Sequence, residues 1–249
     1  MELINCAALV TGGGSGLGLA TAKALAESGA DVCVSYNGNE DGAKSARDEI
    51  AAMGRRASYV HLDQADPVSV ETAIDRTIEK LGRLDILINN AATNIPVPFP
   101  DLSALTPDIW DRLFNTNLRG PFLVARAAAP HLRQSDAGRI VNVGAMIGFM
   151  PAGSSIAQAV SKAGVIHLTR CLAVALAPDI LVNCVAPGLM EGTQMAGRVP
   201  KEAVDAMRQK AILKRNTSIQ DVANQIIQFC RAESITGQAL VIDGGIHFH

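Results

Sequence analysis

Residues 11–18, T-G-G-G-S-G-L-G, constrain this chain more than any other stretch. They lie between a short apolar run, residues 6–10, and a segment in which Leu17, Ala20, Ala24 and Leu25 recur at helical spacing up to Gly29. The apolar run reads as a buried strand, and Gly29 supplies a helix stop. Strand, glycine turn and helix start in that order gather free backbone N–H groups at the positive end of a helix dipole, a seat suited to a pyrophosphate. A glycine turn alone also fits a plain loop; the flanking strand and helix favour the phosphate reading.

The same alternation runs through the chain. Residues 31–36, 57–62, 84–88, 139–143, 180–185 and 239–242 are apolar and β-branched like buried strands, and helical periodicity separates them. Asp66-Pro67 is an N-cap followed by proline at the first helical position, ahead of a face made by Val70, Ala73, Ile74, Thr77, Ile78 and Leu81. Asn89 and Asn90 read as turn formers that tie loop backbone. In the helix that follows Pro107, Trp110, Leu113 and Phe114 take core spacing, while Asn117 and Gly120, poor helix formers, signal a kink or a side chain aimed at a site. Residues 189–215, less periodic, read as a mobile flap over a substrate. The pattern predicts a single α/β domain over residues 1–249, a Rossmann-type doubly wound parallel sheet with helices on both faces and ligands at the carboxyl ends of the strands.

Composition narrows the function classes. A formal net charge of -2 with no basic cluster gives no electrostatic case for nucleic acid or an anionic membrane. Cys6, Cys33, Cys171, Cys184 and Cys230 lack metal-ligand spacing and sit in apolar segments, so they read as small buried hydrophobes; no metal is expected. With no leader-like start and no unbroken apolar run of about 18 residues, a cytoplasmic location is expected.

Residues 139–169 join a strand, a Gly/Pro/Ser loop and a helix carrying Lys162. The motifs T-G-G-G-S-G-L-G, Asp63, N-N-A-A at residues 89–92, Asn117, Lys162, N-x-x-x-P-G at residues 183–188 and T-G-Q-A-L-V-I-D-G-G at residues 236–245 together resemble the short-chain dehydrogenase/reductase family. The resemblance covers essentially the whole chain. It implies a cofactor seat made by Gly12, Ser15, Gly16, Leu17, Gly18, Asp63, Asn90, Lys162, Pro187 and Gly188. Ser35 stands where an acid often grips the adenosine ribose; with neither that acid nor an arginine there, the choice between NAD and NADP stays open. The helices carrying Asn117 and Lys162 commonly pair between subunits in this family.

The family's proton relay uses a tyrosine four residues before the lysine and a serine thirteen before the tyrosine, with the asparagine holding a water. Here those places hold Gln158 and Ala145. An amide cannot exchange a proton near pH 7 and alanine forms no side-chain hydrogen bond, so Asn117 and Lys162 are relicts of the relay. Ser154, Ser155, His167 and Glu191 are weak substitutes. Ala92 in place of a glycine, and one extra residue after Pro187-Gly188, are further departures. The expectation is a catalytically silent subunit, paired with an active paralogue in a heterotetramer. Among such pairs it resembles the degenerate partner in dehydrogenases of aromatic succinyl-CoA β-oxidation, whose active chain oxidises a 3-hydroxyacyl thioester with NAD. The alternatives are an oxidoreductase with unusual acid/base groups and a nucleotide-sensing module.

Overall fold

The computed structural model describes residues 2–136, 138–193 and 196–248. Seven strands, β1 (Ala7–Val10), β2 (Asp31–Tyr36), β3 (Ala57–His61), β4 (Ile86–Asn89), β5 (Gly138–Val143), β6 (Ile180–Pro187) and β7 (Ala239–Ile242), form one sheet in the order β3-β2-β1-β4-β5-β6-β7. Every neighbouring pair is parallel. The expected doubly wound α/β fold is therefore observed, with its strand order reversing beside β1.

Strand alternation builds two cores. Along β1, Ala8 and Val10 face one layer while Ala7 and Leu9 face the other. The first layer receives α1 (Gly16–Glu27), α2 (Glu40–Ala52) and α8 (Ile219–Arg231) through Leu25, Ile50 and Ile226. The second receives α3 (Pro67–Leu81), α5 (Gly120–Leu132) and α6 (Ile156–Leu176) through Ile74, Leu132 and Leu172. Asp66 caps α3 by accepting from the amides of Val68 and Ser69, with Pro67 at the helix start, as the sequence predicts. By length and composition α6 could cross a membrane, at a mean hydropathy of 1.4, but it buries Lys162 and Gln158 and packs on the sheet.

Several expectations need correction. The fourth strand is displaced toward Asn89, which lies buried in β4 instead of in a turn; its Nδ2 donates to the side chain of Asn142 at 2.9 Å and to the carbonyl of Pro121 at 3.3 Å. After α4 (Pro107–Phe114), Asn115–Arg119 form a π-helical turn that runs into α5, so the kink predicted around Asn117 is a widened turn. In α4 only Leu113 is buried; Trp110 and Phe114 are half-buried and stack on each other at 4.8 Å. Cys171 is exposed, unlike the other four cysteines, because it lies on the outer face of α6. Residues 189–215 are not an irregular flap throughout: they contain a 3-10 turn at Ala196–Arg198 and α7 (Lys201–Lys210), a helix that buries no residue. Gln194 and Met195 of that stretch lie outside the described residues.

Candidate functional site

The glycine loop is built by close packing. A Cβ on Gly13 would fall 2.6 Å from Val34, one on Gly14 2.8 Å from the amide of Ala43, and one on Gly18 2.2 Å from the carbonyl oxygen of Gly12. Gly12 and Gly16 adopt φ of 64° and 53°, a conformation costly for other residues. Two polar clamps hold the loop. Ser35 is buried, and its hydroxyl accepts from the amide of Gly12 at 3.3 Å while its carbonyl accepts from that of Gly13. The Ser35 side chain thus points into the loop. Asn90 donates through Nδ2 to the carbonyls of Thr11 and Gly12, and the Thr11 hydroxyl accepts from the amides of Asn90 and Ala91. The backbone-tying role expected of Asn90 is what it performs.

Gln64 carries no motif signal and sequence reasoning missed it; Thr11 opens the glycine motif, but its clamping role was not read from the sequence. The Gln64 amide donates to the carbonyl of Ala91 at 2.9 Å and of Thr116 at 2.7 Å, joining the loops after β3 and β4 to the π-turn. Beside it, Asp63 accepts from the amide of Ala65, so its carboxylate shapes its own turn. At the far side Pro187 ends β6, and Gly188 donates to the carbonyl of Ile242; a Cβ there would press on Thr217 and Asp243.

The strand-loop-helix stretch converges on Lys162. Ser155 caps α6 by accepting from the amide of Gln158, which sets Gln158 and Lys162 one turn apart on the buried face. Gly148 lets the loop after β5 pass against this helix, since a Cβ there would lie 2.8 Å from the Lys162 backbone. The Lys162 ammonium donates to the carbonyl of Val143 at 2.8 Å. Burial pulls its pKa down from 10.5 to about 8, and the nearby Cys184 thiol is pushed up by burial to about 11. Ala145 follows Val143 by two residues in extended backbone, presenting a methyl group.

Gln158 is held as a structural amide. Its Oε1 accepts from the Ser154 hydroxyl at 2.6 Å and the Ser154 amide at 3.3 Å. The same hydroxyl also contacts Oδ1 of buried Asn94, a residue the sequence did not single out. Asn117 grips the loop after β4 from both sides: Oδ1 accepts from the amide of Thr93 at 2.8 Å and Nδ2 donates to its carbonyl at 2.9 Å.

Of the weak substitutes, Ser154 sits at Gln158 and the others are engaged elsewhere. Ser155 is spent as a cap, and His167 lies exposed on α6. Glu191 turns outward to Arg208 at 2.7 Å and Asn216 at 2.6 Å; its hydrogen bond to Arg208 holds its carboxyl below the usual range.

The glycine loop suits a nicotinamide dinucleotide. The amides of Ser15, Gly16 and Leu17 have no protein acceptor among the described residues and open the first turn of α1, as a pyrophosphate requires. Thr193 borders the loop: a Cβ on Gly16 would reach ordinary contact with its Cγ2 at 3.5 Å and its Cβ at 3.8 Å, and glycine keeps that space clear.

A family model described as Enoyl-(Acyl carrier protein) reductase matches residues 12–247. The chain is 41% identical over 243 residues to "Granaticin polyketide synthase putative ketoacyl reductase 2" of Streptomyces violaceoruber, covering 96% of this chain and 95% of that one. It is 34% identical over 251 residues to the (2S)-[(R)-hydroxy(phenyl)methyl]succinyl-CoA dehydrogenase subunit BbsD of Thauera aromatica, with 98% of each covered. Among solved structures, a short chain dehydrogenase from Burkholderia cenocepacia J2315 in complex with NADP superposes with a TM-score of 0.91 at 38% identity over 99% of both chains.

Proposed function

The chain belongs to the short-chain dehydrogenase/reductase family, and within it we propose that it is a catalytically silent subunit working beside an active paralogue in a hetero-oligomeric NAD(P)-dependent dehydrogenase. The observation that carries this reading is the state of the relay. Gln158 stands anchored to Ser154 in the place of the acid, Ala145 stands in the place of the orienting hydroxyl, and the Lys162 ammonium is turned to a backbone carbonyl. Removing one general acid costs about 10² to 10⁴ in rate. Here the orienting group is missing as well, and Ser154 offers a hydroxyl already engaged by two acceptors with no base beside it.

The partner's substrate, on this reading, is a 3-hydroxyacyl thioester, of the aromatic succinyl-CoA type. Support comes from relatives whose names describe work on acyl thioesters, one of them a dehydrogenase subunit. The proposed assembly is a heterotetramer with the outer face of α6 at the contact, where Val160 and Val174 are 43% and 83% exposed.

Native mass spectrometry of the complex from the source cell tests the reading. The expected result is this chain at fixed ratio with a second family member, and dehydrogenation only by the pair. A homo-oligomer of this chain that turns over by itself refutes it. One observation favours a second reading, an oxidoreductase with unusual acid/base chemistry: at about 8, Lys162 exchanges its proton near neutrality. That reading requires turnover by the purified chain and its loss in Lys162→Ala with the fold intact.

A further inference from the structure

We infer that the site around Lys162 takes a carbonyl oxygen and disfavours a hydroxyl in the same place, so that this chain holds a 3-oxoacyl thioester in preference to the 3-hydroxyacyl one. This rests on the reading of the chain as a silent subunit of an acyl-thioester dehydrogenase, and it names the ligand class of the chain's own site. The hydrogen-bonding character of the groups that meet there decides the preference. Lys162, buried, donates to the Val143 carbonyl at 2.8 Å and has no acceptor to offer. Gln158, one helical turn before it, has its Oε1 filled by the Ser154 hydroxyl at 2.6 Å and the Ser154 amide at 3.3 Å. Ala145 contributes a methyl group.

Two donors on one oxygen fix which way the Gln158 amide faces. Turned end for end, it would set Nε2 against the Ser154 amide, donor against donor, so the end left for a ligand is Nε2, whose two N–H groups only donate; a carbonyl oxygen needs one of them. Ser154 is the positioning residue. Its carbonyl accepts from the Val97 amide at 2.8 Å, and its hydroxyl, with a single proton, already lies between Oε1 of Gln158 and Oδ1 of Asn94. Ala145 and Ser154 are half-buried, so the site is reached from outside, whereas Gln158 and Lys162 are buried. A carbonyl oxygen, an acceptor only, matches this arrangement. A hydroxyl oxygen accepts the same bond, but its own proton finds no free acceptor among these groups, and a buried donor left unpaired is costly. A hydrogen bond that the wrong ligand cannot make discriminates more strongly than size does.

Calorimetric titration of the purified full-length chain with acetoacetyl-CoA, with each enantiomer of 3-hydroxybutyryl-CoA and with CoA tests this by binding alone. The oxo thioester is expected to bind about tenfold or more tightly than either hydroxy thioester. Ser154→Ala frees Oε1 of Gln158 to accept from a ligand hydroxyl and should bring the ratio to about threefold or less, whereas a merely structural role for Ser154 would weaken every ligand alike. If circular dichroism shows that this variant has not folded, Gln158→Glu, which puts an acceptor in the place of Nε2, replaces it, with a ratio below about twofold expected. Wild-type binding of the oxo and hydroxy thioesters within about twofold of each other overturns the inference, as does oxo binding no tighter than that of CoA or a ratio unchanged in the folded variant. Incubation of the same chain with NADPH and acetoacetyl-CoA keeps the two readings apart. Turnover refutes the silent subunit and leaves the measured preference standing; a missing preference in an inactive chain refutes the inference alone.

Discussion

Replacing Lys162 by methionine removes a buried charge while keeping an unbranched chain of similar length, and it should stabilise the fold. Lys162 is 6% exposed, and its ammonium has the Val143 carbonyl as its partner. A pKa lowered from 10.5 to about 8 by burial corresponds to roughly 3 kcal/mol by which the folded state disfavours the charged form. The variant leaves Val143 without its side-chain donor, a loss of about 1–2 kcal/mol. The net expectation is a gain of about 1–2 kcal/mol at pH 7, a rise of several degrees in Tm.

The pH dependence identifies the cause. Because the folded value lies below the unfolded one, the lysine penalty is present in full below pH 8 and disappears as pH rises through 10.5. Urea unfolding of both proteins from pH 7 to 10.5 should therefore show the advantage of Lys162→Met shrinking across that window. Burial raises the Cys184 and Cys230 thiols to about 11 and 12, so each loses stabilising power as pH climbs above 9. Cys230 acts alike in both proteins and cancels in the difference between the two curves, whereas Cys184, whose thiol the Lys162 charge helps to lower, is raised further in the variant and adds to the shrinkage. A variant less stable than the wild type at pH 7, or a difference constant from pH 7 to 10.5, refutes the argument.

Ala145→Ser with Gln158→Tyr should restore at most slight nicotinamide-linked turnover, since the segment after β6 and the N-N-A-A loop also depart from the family pattern; family-level rates in the coupled absorbance assay would contradict this. Gly18→Ala places a methyl 2.2 Å from the Gly12 carbonyl and 2.6 Å from Asn90 Nδ2, and should cost at least about 2 kcal/mol in chemical denaturation. Asp85→Ala removes the carboxylate that accepts from the Ala7 amide, Arg83 and Ser135 at the opposite end of the sheet. It should lower stability by about 3 kcal/mol or more, seen as a large drop in Tm with no effect on cofactor binding by the folded fraction.

What could be read beforehand follows from where each signal lives. β2 and β7 coincide with the apolar runs, and α3 starts where Asp66-Pro67 marks it, because these are local preferences that the packed fold also needs. Asn89 was misplaced because asparagine normally terminates strands, whereas Asn142 and Pro121 give it buried partners from distant parts of the chain. α7 was missed because a helix with no buried face shows no apolar period. That Gln158 and Ala145 stand where the resemblance puts a tyrosine and a serine was legible by counting from Lys162. The joining of Ser154 to both Gln158 and Asn94 was not, since it depends on how the loop after β4 meets the start of α6.

Asn117 and Lys162 can be weighed in the same way as Ala145 and Gln158. Asn117 survives in a π-turn where both ends of its amide are bonded to Thr93, and any replacement would leave that buried amide and carbonyl without partners, at about 1–3 kcal/mol each. Its presence is accounted for without a water or a proton relay. Lys162 differs, because burial makes it a net cost to the fold, offset in part by one carbonyl. Structural need therefore explains Asn117 and leaves Lys162 unexplained. If the chain were no more than packing material for a partner, methionine would serve better at position 162. On the proposed pairing, the charge of Lys162 is answered by a ligand or in the assembled state, and an assembly-dependent rise in its pKa, measured by amine reactivity with and without the proposed partner, is the expected sign.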